Sequence, residues 1–262
     1  MTVDGTRLWI GTSGSGPPLL LLMGIGGNLN MWTPFTSRLG SRRFVAFDAP
    51  GTGDSDIGRV RRMRGLADLT ARLLDELSID EVDVLGYSFG GALAQELAHR
   101  HPARVSRLIL GATACGVGGV PAISTVYLHM AHPLRYYSEG YLSWVSPRLL
   151  GGRQRHGSAS SDDQVRLRLH APPSVLGYAA QLAAITGWSS LPWLHQLRMP
   201  TLVMAGDDDP LIPLLNARLL QWRIPNAELH VVAGGGHLFL LDQPGDVIDA
   251  VEGFLNLPVK SG

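Results

Sequence analysis

Continuously apolar stretches and amphipathic stretches take turns along this chain. Short runs that are apolar at nearly every position fall at residues 7–10, 19–23, 44–48, 82–87, 106–111, 201–205 and 229–232. Runs of this length are predicted to be strands buried on both faces. Residues 32–39, 66–77, 90–100, 215–222 and 246–255 instead repeat their apolar positions at helical spacing. The alternation predicts an α/β fold, a mostly parallel sheet flanked by helices on both faces. The rhythm stops between about residues 116 and 197. That stretch holds Pro121, Pro133, Pro147, Pro172, Pro173 and Pro192, and most of the tyrosines, with Trp144, Trp188 and Trp193. It predicts a helical cap, residues 116–197, inserted into a core made of residues 1–115 and 198–262. Within it, residues 151–163 are polar and glycine-rich and are expected to form a mobile loop.

The chain has 262 residues, enough for one such domain with its insertion. Lys plus Arg equals Asp plus Glu at 22 each, so no net field favours nucleic acid or an anionic membrane. Arg59, Arg61, Arg62 and Arg64 form a short basic run, expected to be a solvated loop. The one cysteine, Cys115, excludes an intrachain disulfide and fits a reducing compartment. The first residues show no leader of charged then apolar character, and the 19–23 run is far too short to span a bilayer. A cytoplasmic protein without a transmembrane segment is the expectation.

Chemistry enters at Gly86-Tyr87-Ser88-Phe89-Gly90, between the run ending at Leu85 and a helix-like stretch. Strand, Gly-x-Ser-x-Gly, helix is the setting of a nucleophile elbow. A serine raised on so sharp a turn leaves no room for side chains two residues away, which explains both glycines. Ser88 needs a base, and the base needs an orienting carboxylate. His237 stands out among nine histidines: it follows the 229–232 strand and Gly234-Gly235-Gly236, and precedes the last helix. It therefore falls at the edge of the sheet where sites of open α/β folds lie. The carboxylate lies in Gly206-Asp207-Asp208-Asp209-Pro210, where three adjacent aspartates compete and turn residues are the bland explanation for two of them. Acyl transfer also needs donors for the developing oxyanion. The backbone N–H of Phe89 is one, and that of Ile25, in Gly24-Ile25-Gly26-Gly27-Asn28, is the other. That loop fits neither a dinucleotide fingerprint nor a Walker motif, and no Cys/His cluster has zinc spacing, so no cofactor or metal is expected. Asp48-Ala49-Pro50-Gly51-Thr52-Gly53-Asp54-Ser55 reads as a structural turn at the rim of the site.

These motifs together resemble the α/β-hydrolase superfamily over nearly the whole chain. The loop form Gly-x-x-Asp-x-x-x-Pro, frequent in that superfamily, selects Asp209 as the acid. More specifically, the stretch from Ala205 to Pro213, the run Trp222-Arg223-Ile224-Pro225-Asn226-Ala227-Glu228-Leu229-His230, and Gly236-His237-Leu238-Phe239-Leu240 are similar to intracellular depolymerases of medium-chain-length poly(3-hydroxyalkanoate). Trp188 to His195 looks like that family's junction between cap and core. The resemblance implies a cofactor-free serine esterase acting on 3-hydroxyacyl esters at storage-granule surfaces. Two departures bear on acyl length: members often have Trp where this chain has Phe89, and an acidic residue before the final Gly-His where it has glycines. A carboxylesterase, thioesterase or acyltransferase with the same triad is the enzymatic alternative, and a hydrolase-fold ligand-binding protein is the alternative of another class.

Overall fold

The computed structural model describes residues 1–122, 124–152, 155, 169–242 and 244–257. Its strands are β1 (Thr2–Val3), β2 (Thr6–Arg7), β3 (Ile10–Ser13), β4 (Pro18–Leu22), β5 (Arg43–Phe47), β6 (Val82–Tyr87), β7 (Val105–Gly111), β8 (Thr201–Gly206) and β9 (Ala227–Val232). β1 and β2 form a small hairpin, and the other seven make one sheet in the order β3-β5-β4-β6-β7-β8-β9. Only β3 runs antiparallel to its neighbour; every other pairing in that sheet is parallel. The expected first strand at residues 7–10 is corrected. Arg7 closes the hairpin, Leu8 and Trp9 lie between strands, and the sheet edge begins at Ile10.

The helices are α1 (Thr33–Thr36), α2 (Met63–Glu76), α3 (Phe89–Arg100), α4 (Ser124–Ala131), α5 (Glu139–Leu150), α6 (Val175–Ile185), α7 (Leu214–Arg223), α8 (Phe239–Asp242) and α9 (Pro244–Leu255). The helix expected at 32–39 is a 3-10 turn, Leu29–Trp32, followed by the single turn α1.

Strand side chains alternate between two cores, as the pleat requires. Leu20, Leu22, Val84, Leu108 and Leu110 face one side, where α2 and α3 pack. Leu19, Leu21, Leu85, Ile109 and Met204 face the other, with α8 and α9. α3 is buried from Phe89 to Ala98 because it is wedged between the sheet and α2. Small residues permit that approach: a Cβ on Gly91 would lie 2.5 Å from the Cβ of Thr113.

Between β7 and β8 the chain leaves the sheet for α4, α5 and α6. The two ends of this excursion are joined by the bridge Gly116↔Ser189 and by the Ser190 N–H donating to the Cys115 carbonyl at 2.9 Å. The loop expected at 151–163 lies outside the described residues except for Gly151, Gly152 and Arg155. Among the described residues no helix is long and apolar enough to cross a membrane.

The Arg59–Arg64 run is not simply solvated. The Arg61 side chain is buried, pairs with Asp4 at 3.1 Å and donates to the Thr6 hydroxyl at 3.2 Å. Arg62 donates to the Ala183 carbonyl at 2.8 Å, tying the start of α2 to α6.

Candidate active site

Strand β6 ends in Tyr87 and helix α3 starts at Phe89, so the chain must reverse its character at Ser88. It does so with φ 54° and ψ −116°, a region that L-residues occupy only under strain. The surroundings hold it there. The Ser88 N–H donates to the Gly111 carbonyl at 2.8 Å, and its carbonyl accepts from the Thr113 hydroxyl at 2.8 Å. A Cβ on Gly86 would meet the Gly90 carbonyl oxygen at 2.4 Å, and one on Gly90 the Leu22 oxygen at 1.9 Å. Both glycines of the motif are therefore dictated by backbone standing where a side chain would go.

The structure brings Ser88, His237 and Asp209 together from three loops at the carboxyl ends of β6, β9 and β8. His237 Nε2 lies 3.1 Å from Ser88 Oγ, and His237 Nδ1 lies 2.8 Å from Asp209 Oδ2. Both residues are buried. The other carboxylate oxygen of Asp209 accepts the N–H groups of Leu211 and Ile212, each at 2.9 Å, so the carboxylate can neither rotate nor leave. The His237 N–H donates to the Leu150 carbonyl at the end of α5, and the ring lies against Tyr87 with centroids 5.6 Å apart.

Asp207 and Asp208 point elsewhere, and their bonds differ from those of simple turn residues. Asp207 accepts the Gly234 N–H at 2.7 Å, holding the loop that carries His237. Asp208 accepts the Gly152 N–H at 2.7 Å and pairs with Arg155 at 2.9 Å, anchoring the end of α5.

The Phe89 N–H heads α3, where no carbonyl one turn earlier can accept it. Ile25 lines the same cavity as Ser88 and Phe89. Its loop is gripped from outside the sheet. The Tyr136 hydroxyl donates to the Ile25 carbonyl, and the Gly26 N–H donates to Gln181 Oε1 at 2.7 Å. The peptide unit between Ile25 and Gly26 is thus held at both its oxygen and its hydrogen. From below, Asp48 accepts the Leu29 N–H at 2.6 Å and the Asp54 N–H at 3.0 Å, and burial pushes its carboxyl above the usual value. Tyr136 and Gln181 were not legible in the sequence: they lie 111 and 155 positions from their partners, and no local pattern marks them.

Two cavities meet at Ser88. The larger, about 530 Å³, is lined by Phe89, Ala92, Val117, Leu182, Ile185 and Trp188 among others. The smaller, about 30 Å³, is lined by His237, Met31, Arg135, Tyr136 and Leu150 among others. No group of three or more His, Cys, Asp or Glu that could hold a metal occurs among the described residues. A serine with an oriented imidazole, at the head of a helix and open to an apolar chamber, is equipped for nucleophilic attack on an acyl group.

Comparison with known proteins fits this geometry. A family model described as the alpha/beta hydrolase fold matches residues 17–244. The chain is similar to a poly(3-hydroxyalkanoate) depolymerase of Ectopseudomonas oleovorans, with 45% identity over 244 residues, 91% of this chain and 84% of that one. Among solved structures, the enol-lactonase of Burkholderia xenovorans superposes with a TM-score of 0.83 at 24% identity, covering 97% of this chain and 98% of the other. A thermophilic esterase of Thermogutta terrifontis gives 0.80 at 27% identity, covering 95% and 92%.

Proposed function

The chain belongs to the α/β-hydrolase fold family, and from that premise we propose that it is a serine ester hydrolase acting on medium-chain 3-hydroxyalkanoate oligomers or polyester. One observation carries the chemistry: the unbroken line from Asp209 through His237 to Ser88 Oγ, at 2.8 Å and 3.1 Å. In the proposed reaction His237 Nε2 takes the Ser88 proton as Oγ attacks the ester carbon. The N–H groups of Ile25 and Phe89 receive the oxyanion. Collapse breaks the bond to the alcohol, which leaves with the proton that His237 returns, and an acyl-enzyme remains. Water then repeats the cycle, giving its proton to His237 and releasing the acid. Asp209 keeps the imidazole in the tautomer that can accept at Nε2.

The described part of segment 116–197 acts as a cap over Ser88, its residues Leu182, Ile185 and Trp188 supplying much of the chamber wall. An apolar chamber of this size suits an acyl chain of several carbons. The polyester assignment leans on the depolymerase relative, because the chamber alone fits any lipophilic ester. Leu128, Trp144 and Leu176 expose apolar surface on the same cap segment, which suits contact with a polyester surface.

A fluorophosphonate probe should label the protein promptly at Ser88. Medium-chain poly(3-hydroxyalkanoate) should then be cleared with release of 3-hydroxyacids, and faster than poly(3-hydroxybutyrate). No labelling would remove the serine mechanism. Labelling with no release of 3-hydroxyacids would leave an esterase of other substrates.

A further inference from the structure

Arg135 is 3% exposed, and no function so far requires it. It sits in the 3-10 turn Pro133–Tyr136, between α4 and α5. One terminal nitrogen donates to the Met130 sulfur at 2.9 Å and the other to the Tyr178 hydroxyl oxygen at 2.7 Å. Among the described residues its Nε has no hydrogen-bond partner. The guanidinium carbon lies 4.7 Å from the Tyr136 ring centroid and 5.4 Å from that of Tyr178. None of the ion pairs among the described residues includes Arg135; the other deeply buried arginines, Arg42 and Arg61, pair with Asp83 and Asp4. A guanidinium keeps its charge. Ring faces and a thioether offset only part of what it loses on leaving water, and a buried cation calls for an anion.

Position says where that anion belongs. Arg135 lines the same small cavity as Ser88 and His237, about 30 Å³, enough for a carboxylate but not for a chain. The large chamber also reaches Ser88, yet neither His237 nor Arg135 lines it. Of the two cavities at Ser88, the chamber is the one with room for the acyl chain. The small cavity lies on the histidine side, where the departing alcohol must receive its proton. An anion bound there belongs to the leaving group.

We propose that Arg135 binds the free carboxylate of the substrate's leaving 3-hydroxyacid, so that the enzyme cuts 3-hydroxyacyl chains at the ester next to their acid end. This rests on the ester-hydrolase function proposed above and names its substrate class. In a 3-hydroxyacid a single methylene separates the carboxyl carbon from the carbon bearing the ester oxygen, so its carboxylate stays close to the oxygen that His237 protonates. An internal unit of the polymer carries an ester at that place and offers the guanidinium no charge.

The test uses the 3-hydroxyoctanoate dimer as its free acid and as its methyl ester, following cleavage of the internal ester. The wild-type protein should favour the free acid in kcat/KM by at least about tenfold, the scale of one charge-assisted hydrogen bond. Arg135→Gln should bring that ratio near one, and Arg135→Lys should retain part of it. A ratio measured on one preparation cancels any loss of folded protein. Should Arg135→Gln not fold, wild-type inhibition decides: 3-hydroxyoctanoate should inhibit p-nitrophenyl octanoate hydrolysis at lower concentration than methyl 3-hydroxyoctanoate does. A wild-type ratio of one or less, a ratio that survives Arg135→Gln, or equal inhibition by acid and methyl ester overturns the assignment. Any of these alongside brisk p-nitrophenyl octanoate turnover sinks Arg135 alone; absence of turnover on every ester, with Ser88 unlabelled, sinks the hydrolase function itself.

Discussion

Ser88 is held at φ 54° by the carbonyl of Gly111, the hydroxyl of Thr113 and two glycines that leave backbone space. The strain has a use: it lifts Oγ to within 3.1 Å of His237 Nε2 at the head of α3. Three adjacent aspartates follow β8, and their bonds assign them different work. Only Asp209 reaches the imidazole, while Asp207 and Asp208 fasten neighbouring segments. Ser88→Ala and His237→Ala should therefore each abolish nearly all hydrolysis of p-nitrophenyl octanoate. Asp209→Asn should lower kcat by up to roughly 10⁴-fold through the wrong tautomer. Asp208→Asn should act mainly on stability, with a modest change in kcat. A crippled Asp208→Asn beside an active Asp209→Asn would reverse the assignment.

At the scale of elements, the loop after β4 is controlled from the helical excursion rather than from the sheet alone. Tyr136, in the turn after α4, holds the Ile25 carbonyl, and Gln181, in α6, holds the Gly26 N–H. A peptide plane held at both its oxygen and its hydrogen restrains the residue whose N–H is the proposed oxyanion donor, Ile25. Tyr136 and Gln181 are positioning residues in this scheme, since neither touches the oxyanion. Tyr136→Phe and Gln181→Leu should each lower kcat about tenfold, less than the 10²–10³-fold of losing an oxyanion donor outright. KM for p-nitrophenyl octanoate should change less than about twofold, as expected for an interaction felt in the transition state. Loss of thermal stability with kcat intact would assign both residues a purely structural role.

For the whole molecule, loops at the carboxyl ends of the strands carry Ser88, Asp209 and His237, and the excursion between β7 and β8 supplies part of the chamber wall. The chamber of about 530 Å³ is bounded by α3 and the β7 exit on one side and by α6 and Trp188 on the other. Lengthening the acyl chain from acetate to octanoate should raise kcat/KM, with about 0.8 kcal/mol, roughly fourfold, as the ceiling for each methylene that is fully buried. Leu182→Trp places a bulky ring in that chamber and should move the optimum to shorter acyl chains with little change on acetate. An optimum that stays put would mean that the acyl chain lies elsewhere.

The mostly parallel sheet and the elbow were legible in the sequence for a physical reason, whereas the choice of Asp209 among three aspartates leaned on the superfamily's loop form. Buried parallel strands must be continuously apolar, and a strained turn admits glycine where backbone crowds it. Those constraints act within a few residues and leave a local pattern. Chain reversals near the edge were less legible: the 7–10 run is apolar yet divides between a hairpin and the sheet edge, because pairing partners decide where an edge strand begins. Charge was the least legible. Arg61 and Arg135 look like any surface arginine in the sequence, yet one is buried against Asp4 and the other lines the same cavity as Ser88. Which side chains grip the Ile25–Gly26 peptide, and which cation shares a cavity with the histidine, depend on segments more than 100 residues apart. Sequence alone determined what the buried inner strands and the elbow had to be; only tertiary structure decided the sheet edge and what surrounds the elbow, because contacts across that distance leave no periodicity to read.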